Sequence, residues 1–169
     1  MKNKLLLIFL LILSLFIIIG CTPKKEETKE VKKEKKQNIE TEKDIYIKDV
    51  QKLKKVKESS ENMPFNVDIV YEKIKEEVRY QVVIDNPTSD LKNITALAIH
   101  NKQTDDIFPS VGIFDDKIDL IMDKKPSGVI LVGYIPHTGK LEDLNVEMKV
   151  LISYTINDET HTSYYVTKK

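Results

Sequence analysis

The chain has 169 residues, of which 41% are hydrophobic and 32% charged, and its 27 basic and 27 acidic side chains leave a formal net charge of zero. That length suits one domain with shorter accessory segments, and the acidic excess of residues 63–169 argues against nucleic-acid binding by that part. Cys21 is the one cysteine, so an intramolecular disulfide and a zinc site built on several thiolates are both excluded.

Lys2 and Lys4 precede an apolar run from Leu5 to Ile19, broken only by Ser14 and closed by Gly20-Cys21. A basic start, an apolar stretch and a small residue at its end are the parts of a secretory signal. Ile18-Ile19-Gly20-Cys21 resembles the lipobox of bacterial lipoproteins of Gram-positive type. The resemblance implies cleavage between Gly20 and Cys21 and a diacylglyceryl lipid on the Cys21 sulfur, with no other cofactor. It also implies a mature chain anchored by lipid on the extracytoplasmic face of the cell membrane. The competing reading of the run is an uncleaved anchor, which needs about 20 apolar residues. Ser14 and Gly20 end this run short of that.

Residues 1–20 are thus read as signal peptide, 21–62 as lipidated cysteine and charged linker, and 63–169 as the folded domain. Thr22 to Asn62 holds 13 lysines and 10 acidic residues, whereas Met63 to Lys169 holds 12 basic and 17 acidic ones. Between Thr22 and Asp44 only Val31 and Ile39 are large aliphatics, too little apolar area to offset ordering, so a solvated, disordered tether is expected. Lys24, Lys25, Lys32, Lys33, Lys35 and Lys36 would suit anionic lipid, but Glu26, Glu27, Glu30 and Glu34 cancel most of that field. Ile47, Val50, Leu53 and Val56 then recur at helical spacing, with Asp44 as a candidate N-cap. Residues 44–58 are read as a short helix or extended lead-in on the domain edge; a basic amphipathic helix lying on a membrane is the alternative.

From Phe65 the period changes to two. Val67, Ile69 and Tyr71 mark a first strand, and Val78, Tyr80, Val82 and Ile84 a second. Asn86-Pro87-Thr88-Ser89-Asp90 is a break, because Pro87 lacks a backbone donor and its neighbours favour turns. In the third strand, LKNITALAIH, Leu91, Thr95, Leu97 and Ile99 are expected on one face and Ile94, Ala96 and Ala98 on the other. Short apolar pieces follow at Val111–Phe114 and Ile118–Met122. The continuous run VILVGYI, ending at Ile135, suggests a strand buried on both faces or one in a sandwich core. Val146 to Ile156 alternates cleanly, Asn157-Asp158 suits a two-residue turn, and the return strand sets Tyr154 opposite His161 and Val150 opposite Tyr165.

About seven strands with closely spaced turns define an all-β antiparallel sandwich. VVIDNPTSDLKNITALAI resembles the strand-turn-strand of small immunoglobulin-like modules in Gram-positive surface lipoproteins, which implies an immunoglobulin-like β-sandwich. The antibody pattern of Cys, Trp and Cys is missing, and function does not follow from such a fold.

No Gly-x-Ser-x-Gly nucleophile motif is present, and His100, His137 and His161 lack metal-ligand spacing. Gly133 to Lys140 is no phosphate loop: its glycines are one residue too far apart, and Leu141 stands where a Ser or Thr would hold magnesium. These residues give no catalytic set, so the chain is read as a non-enzyme. Asp105, Asp106, Asp115, Asp116, Asp119 and Asp123 are the one acidic constellation. Calcium takes roughly six to eight oxygens, and loop carboxylates could supply some, although the spacing matches no EF-hand. The expected function is therefore surface presentation of a β-sandwich to a protein or cell-envelope partner. The alternatives are a calcium-binding envelope module and a small-ligand carrier.

Overall fold

The computed structural model describes residues 27–104, 107–124 and 128–169, with side chains described from Thr41 onward. The chain divides into two units at Ile39 and Glu40, and the second, Glu40–Lys169, carries the fold described below.

Helix α1 spans Glu27–Lys55. Its first turns run through the charged segment, of which the backbone is described from Glu27. Lys and Glu are good helix formers, and no Gly or Pro occurs between Glu27 and Met63. The apolar stripe predicted near 44–58 lies in the last turns of α1, where Leu53 is fully buried and Tyr46, Val50 and Val56 pack around it. Lys149 caps the helix from a neighbouring strand: its Nζ donates to the carbonyls of Lys54 at 3.0 Å and Val56 at 2.6 Å. Carbonyls that have no partner within the helix are satisfied in this way.

Eight strands follow among the described residues: β1 Asn66–Ile74, β2 Glu77–Asp85, β3 Leu91–His100, β4 Ser110–Val111, β5 Ile118–Leu120, β6 Gly128–Pro136, β7 Glu147–Ile156 and β8 Glu159–Lys168. One sheet runs β1-β2-β6 and the other β4-β3-β7-β8, with β5 also paired to β3. All pairings are antiparallel. The two antiparallel sheets face one another as an all-β sandwich. Between the sheets lies the main core, with Tyr80, Ile84, Leu91, Ile135, Met148 and Ile152 at its centre. Leu97, Ile99 and Leu151 point away from it into a second core with Ile113 and Leu53 of α1. The helix therefore covers the outer face of the β3-β7 sheet.

Two details differ from the sequence reading. The run in β6 is buried on one face only: Val129, Leu131 and Ile135 enter the core, while Ile130, Val132 and Tyr134 face out. Burial on both faces occurs instead along the second half of β3, because α1 lies over its outer side. The second difference is within β3, where Leu91 shares the main core with Ile94, Ala96 and Ala98. A bulge between Lys92 and Thr95 flips the alternation there. Asn93 takes φ 53° to make it, a conformation that Asn tolerates better than most residues.

The final hairpin has the predicted register, with Tyr154 opposite His161, Ile152 opposite Ser163 and Val150 opposite Tyr165. Asn157 and Asp158 both have positive φ, as a type I′ turn requires. Ser163, polar yet buried, is hydrogen-bonded to the Tyr154 hydroxyl at 3.1 Å.

Candidate functional site

Gly20 and Cys21 lie outside the described residues, as do Asp105 and Asp106. Two of the other acids of the predicted constellation, Asp115 and Asp119, bind the chain's own backbone. Asp115 Oδ1 accepts from Gly112 N at 2.5 Å, and Asp119 Oδ1 accepts from Asn93 N at 2.9 Å. Gly112 is required beside Asp115, because its φ is 71° and a Cβ there would stand 2.5 Å from the Ile94 carbonyl oxygen. Asp116 is exposed. Among the described residues, no group of three or more His, Cys, Asp or Glu side chains is placed to hold a metal ion.

The three histidines occupy separate places. His137 Nε2 lies 2.7 Å from the Lys140 carbonyl in the turn after β6, and His161 stacks on Tyr154 with centroids 5.7 Å apart. His100 ends β3 between the rings of Tyr80 and Phe108, edge-on to both, at 5.7 and 5.1 Å. It is buried, and its Nδ1 has no hydrogen-bond partner. Burial lowers its pKa below the ordinary imidazole value, partly opposed by hydrogen bonding to the backbone of Lys102 and Tyr134.

Beyond these residues the sandwich offers its edges, and an edge strand presents unpaired backbone groups to any strand that approaches. Three of the four edges are protected. Along β8, Ser59 Oγ accepts from Val166 N and donates to the Val166 carbonyl, at 2.9 and 3.3 Å. Beside it, Ser60 N donates to the Tyr164 carbonyl at 2.8 Å, and Ser60 Oγ accepts from Tyr164 N at 2.9 Å. β4 is only two residues long. β1 carries Asp68, Glu72 and Lys73, and charge on an edge discourages pairing. β6 has none of these devices: it is nine residues long, GVILVGYIP, with no charged side chain.

The register shows which backbone groups β6 exposes. Ile74 opposes Glu77 across the two-residue turn Lys75-Glu76, so β2 bonds β1 through its odd-numbered residues and β6 through its even-numbered ones. The backbone N–H of His137, donating to the Glu76 carbonyl at 2.9 Å, continues that alternation. Val129, Leu131, Gly133 and Ile135 thus turn their backbone toward β2, and Ile130, Val132 and Tyr134 turn theirs to the open edge. The side chains of those three are 58%, 43% and 43% exposed. Beside Val132–Tyr134 lies a cleft of about 540 Å³, bordered across from β6 by Ile107, Phe108 and Pro109, with Tyr80 and His100 among its walls. Ile107, on its rim, is 78% exposed, the most exposed of the large hydrophobic side chains described.

This edge is the candidate site: long, uncharged, apolar on its outer face and backed by a cleft. Sequence reasoning missed it because an unbroken apolar run looks the same whether its second face is covered or bare. The one signal available was the lack of charge from Gly128 to Pro136. A scan against protein-family models and a search of curated proteins each found no match to this chain.

Proposed function

We propose that the chain is a lipid-anchored protein of the extracytoplasmic membrane face, non-catalytic, which presents its β-sandwich for binding a protein or cell-envelope component. The observation that carries the reading is Ile18-Ile19-Gly20-Cys21 at the end of an apolar run with a basic start. A thioether-linked diacylglycerol supplies two acyl chains at about 0.8 kcal/mol per buried methylene, enough for stable anchoring. The open apolar edge at β6 supports the binding part, since bare apolar strands are sites of association.

The test is expression of the full chain in a bacterium, followed by detergent-phase partition and mass spectrometry of the N-terminal peptide. The expected product begins at Cys21 and carries the mass of a diacylglyceryl group, and Cys21→Ala abolishes that modification. A Cys21→Ala chain held as firmly in the membrane, with Met1 to Gly20 still attached to both proteins, would replace the lipid reading with an uncleaved anchor.

A further inference from the structure

We propose that the outer face of the β1-β2-β6 sheet docks a basic amphipathic segment of a partner protein, one that presents apolar side chains between Lys or Arg residues. The inference rests on the binding part of the function proposed above and names its surface and partner chemistry; it does not depend on how the chain is anchored.

The two sheets differ in what covers their outer faces. Over β3 and β7, α1 buries Leu97, Ile99 and Leu151. On the outer face of β1-β2-β6, Val70, Ile130, Val132 and Tyr134 all stay exposed. The register makes them neighbours. Val70, Gln81 and Val132 form one row across the three strands, and the next outward row sets half-buried Val83 beside Ile130. Tyr134 follows Val132 on the same face of β6. A continuous apolar patch rimmed by polar groups marks a site of association.

The rim states which kind of partner fits. Asp68 closes the patch on the β1 side, and Asp85 and Glu77 close it at the two ends of β2. Arg79, the cation that β2 turns to this face, is paired with Glu72. Asp68, Glu77 and Asp85 have no cationic partner among the described residues. Carboxylates around an apolar centre favour a partner that carries cations at the matching places and reject one that carries like charge. The same three groups disfavour other occupants. A second copy would bring acid against acid, in a domain from Met63 to Lys169 whose net charge is −5, and the negative surface of an anionic membrane would be repelled.

The experiment uses the full chain in nonionic micelles and a fluorescein-labelled peptide of alternating Val and Lys as the probe, with binding read by anisotropy. The wild type is expected to bind this peptide, less tightly as salt is raised. Peptides of alternating Ser and Lys, or of Val and Glu, are expected to bind at least about tenfold more weakly, since each keeps only half of the match. Asp68→Asn with Glu77→Gln removes two rim charges and is expected to weaken binding at least about fivefold. Asp116→Asn with Glu159→Gln neutralises two exposed acids outside this sheet and should change it by less than about twofold. Val132→Ser should weaken it at least about threefold, with an unchanged circular dichroism spectrum.

Equal losses from the two pairs of acid substitutions would mean that overall charge draws the peptide, and would overturn the proposal. So would a wild type that does not bind, or a Val132→Ser chain that binds as tightly as the wild type. Two further readouts address other occupants. Sedimentation is expected to give a monomer, and a dimer that Val132→Ser dissociates would assign the face to a second copy instead. Bimane on Ile130→Cys, in a Cys21→Ala chain held in nanodiscs of anionic phospholipid, is expected to emit as in water. A blue-shifted emission without peptide would make lipid the occupant and overturn the proposal. Lipid attachment at Cys21 is decided by the N-terminal mass alone, so loss of the docking face and loss of the anchor are told apart.

Discussion

Tyr80 and Gly133 are partners across the β2-β6 ladder, and the Tyr80 ring fills the space that any side chain at 133 would need. A Cβ placed on Gly133 would run into the Tyr80 hydroxyl, with Cζ and Cε1 almost as close. Tyr80 cannot retreat easily, because it is fully buried among the main-core side chains and its ring meets His100 edge-on. This glycine therefore lets a large aromatic ring lie flush against the strand that forms the open edge.

Gly133→Ala is expected to destabilise the sandwich by about 1–3 kcal/mol, the usual range for overpacking a core. Urea unfolding followed by tyrosine fluorescence measures it. Tyr80→Phe should relieve only part of the clash, since two ring carbons stay in the way. The double variant is therefore expected to be more stable than the sum of the single effects implies.

Leu53→Ala tests the second core. Leu53 is the fully buried contribution of α1 to the cluster with Leu97, Ile99, Ile113 and Leu151. Truncating a leucine in such a place costs about 2–5 kcal/mol, so the urea midpoint should fall sharply. Ile47→Ala, an exposed position on the same helix, should change it by less than about 0.5 kcal/mol. Equal effects at the two positions would mean that the helix does not hold its place on the sheet in solution.

These cases show what the sequence revealed and what it hid. Strands β1, β2, β3, β7 and β8 were legible because alternation and turn residues are local signals, and the Tyr154–His161 register followed from a two-residue turn. The length of α1 was hidden, because Lys and Glu suit a solvated segment and a helix alike when apolar content is low. Which faces of β3 and β6 are buried was hidden too, since that depends on where α1 lies. The bulge at Asn93 was invisible for a similar reason: the carboxylate that binds it, Asp119, is 26 residues away. Legibility of the candidate site was lower still, because an edge is defined by the strand that is missing beside it.

Asp119→Ala should separate a structural role from a cation-binding one. The carboxylate accepts the Asn93 backbone N–H at an exposed position, and loss of such a bond costs about 0.5–1.5 kcal/mol. That loss is expected in buffer containing a chelator, where no calcium effect can contribute. Asp119→Asn keeps an acceptor oxygen and should recover most of it. If the variants differ from wild type only when calcium is added, the carboxylate is acting on a cation.

His100 is buried between Tyr80 and Phe108 with its Nδ1 unpartnered, and desolvation is the main cause of its lowered pKa. In the unfolded chain the same imidazole titrates near about 6.5. Between the folded and unfolded values the unfolded chain binds more protons, so stability rises with pH across that window. The contribution of His100 is therefore fully present above the unfolded value and is lost as pH falls through it toward the folded one. Urea midpoints measured from pH 7.5 down to about 5 should decline for the wild type. His100→Phe keeps an aromatic ring against Tyr80 and Phe108 but cannot take a proton, so its midpoint should stay flatter over the same range. Glu147 acts in a different window. Hydrogen bonds from Lys149 and Lys168 hold its pKa below the usual 4.5, so its contribution is present above that value and fades only as pH falls further. A wild-type midpoint that stays level down to pH 5, or a His100→Phe profile as steep as the wild type, would show that the buried imidazole does not set the acid limit of the fold.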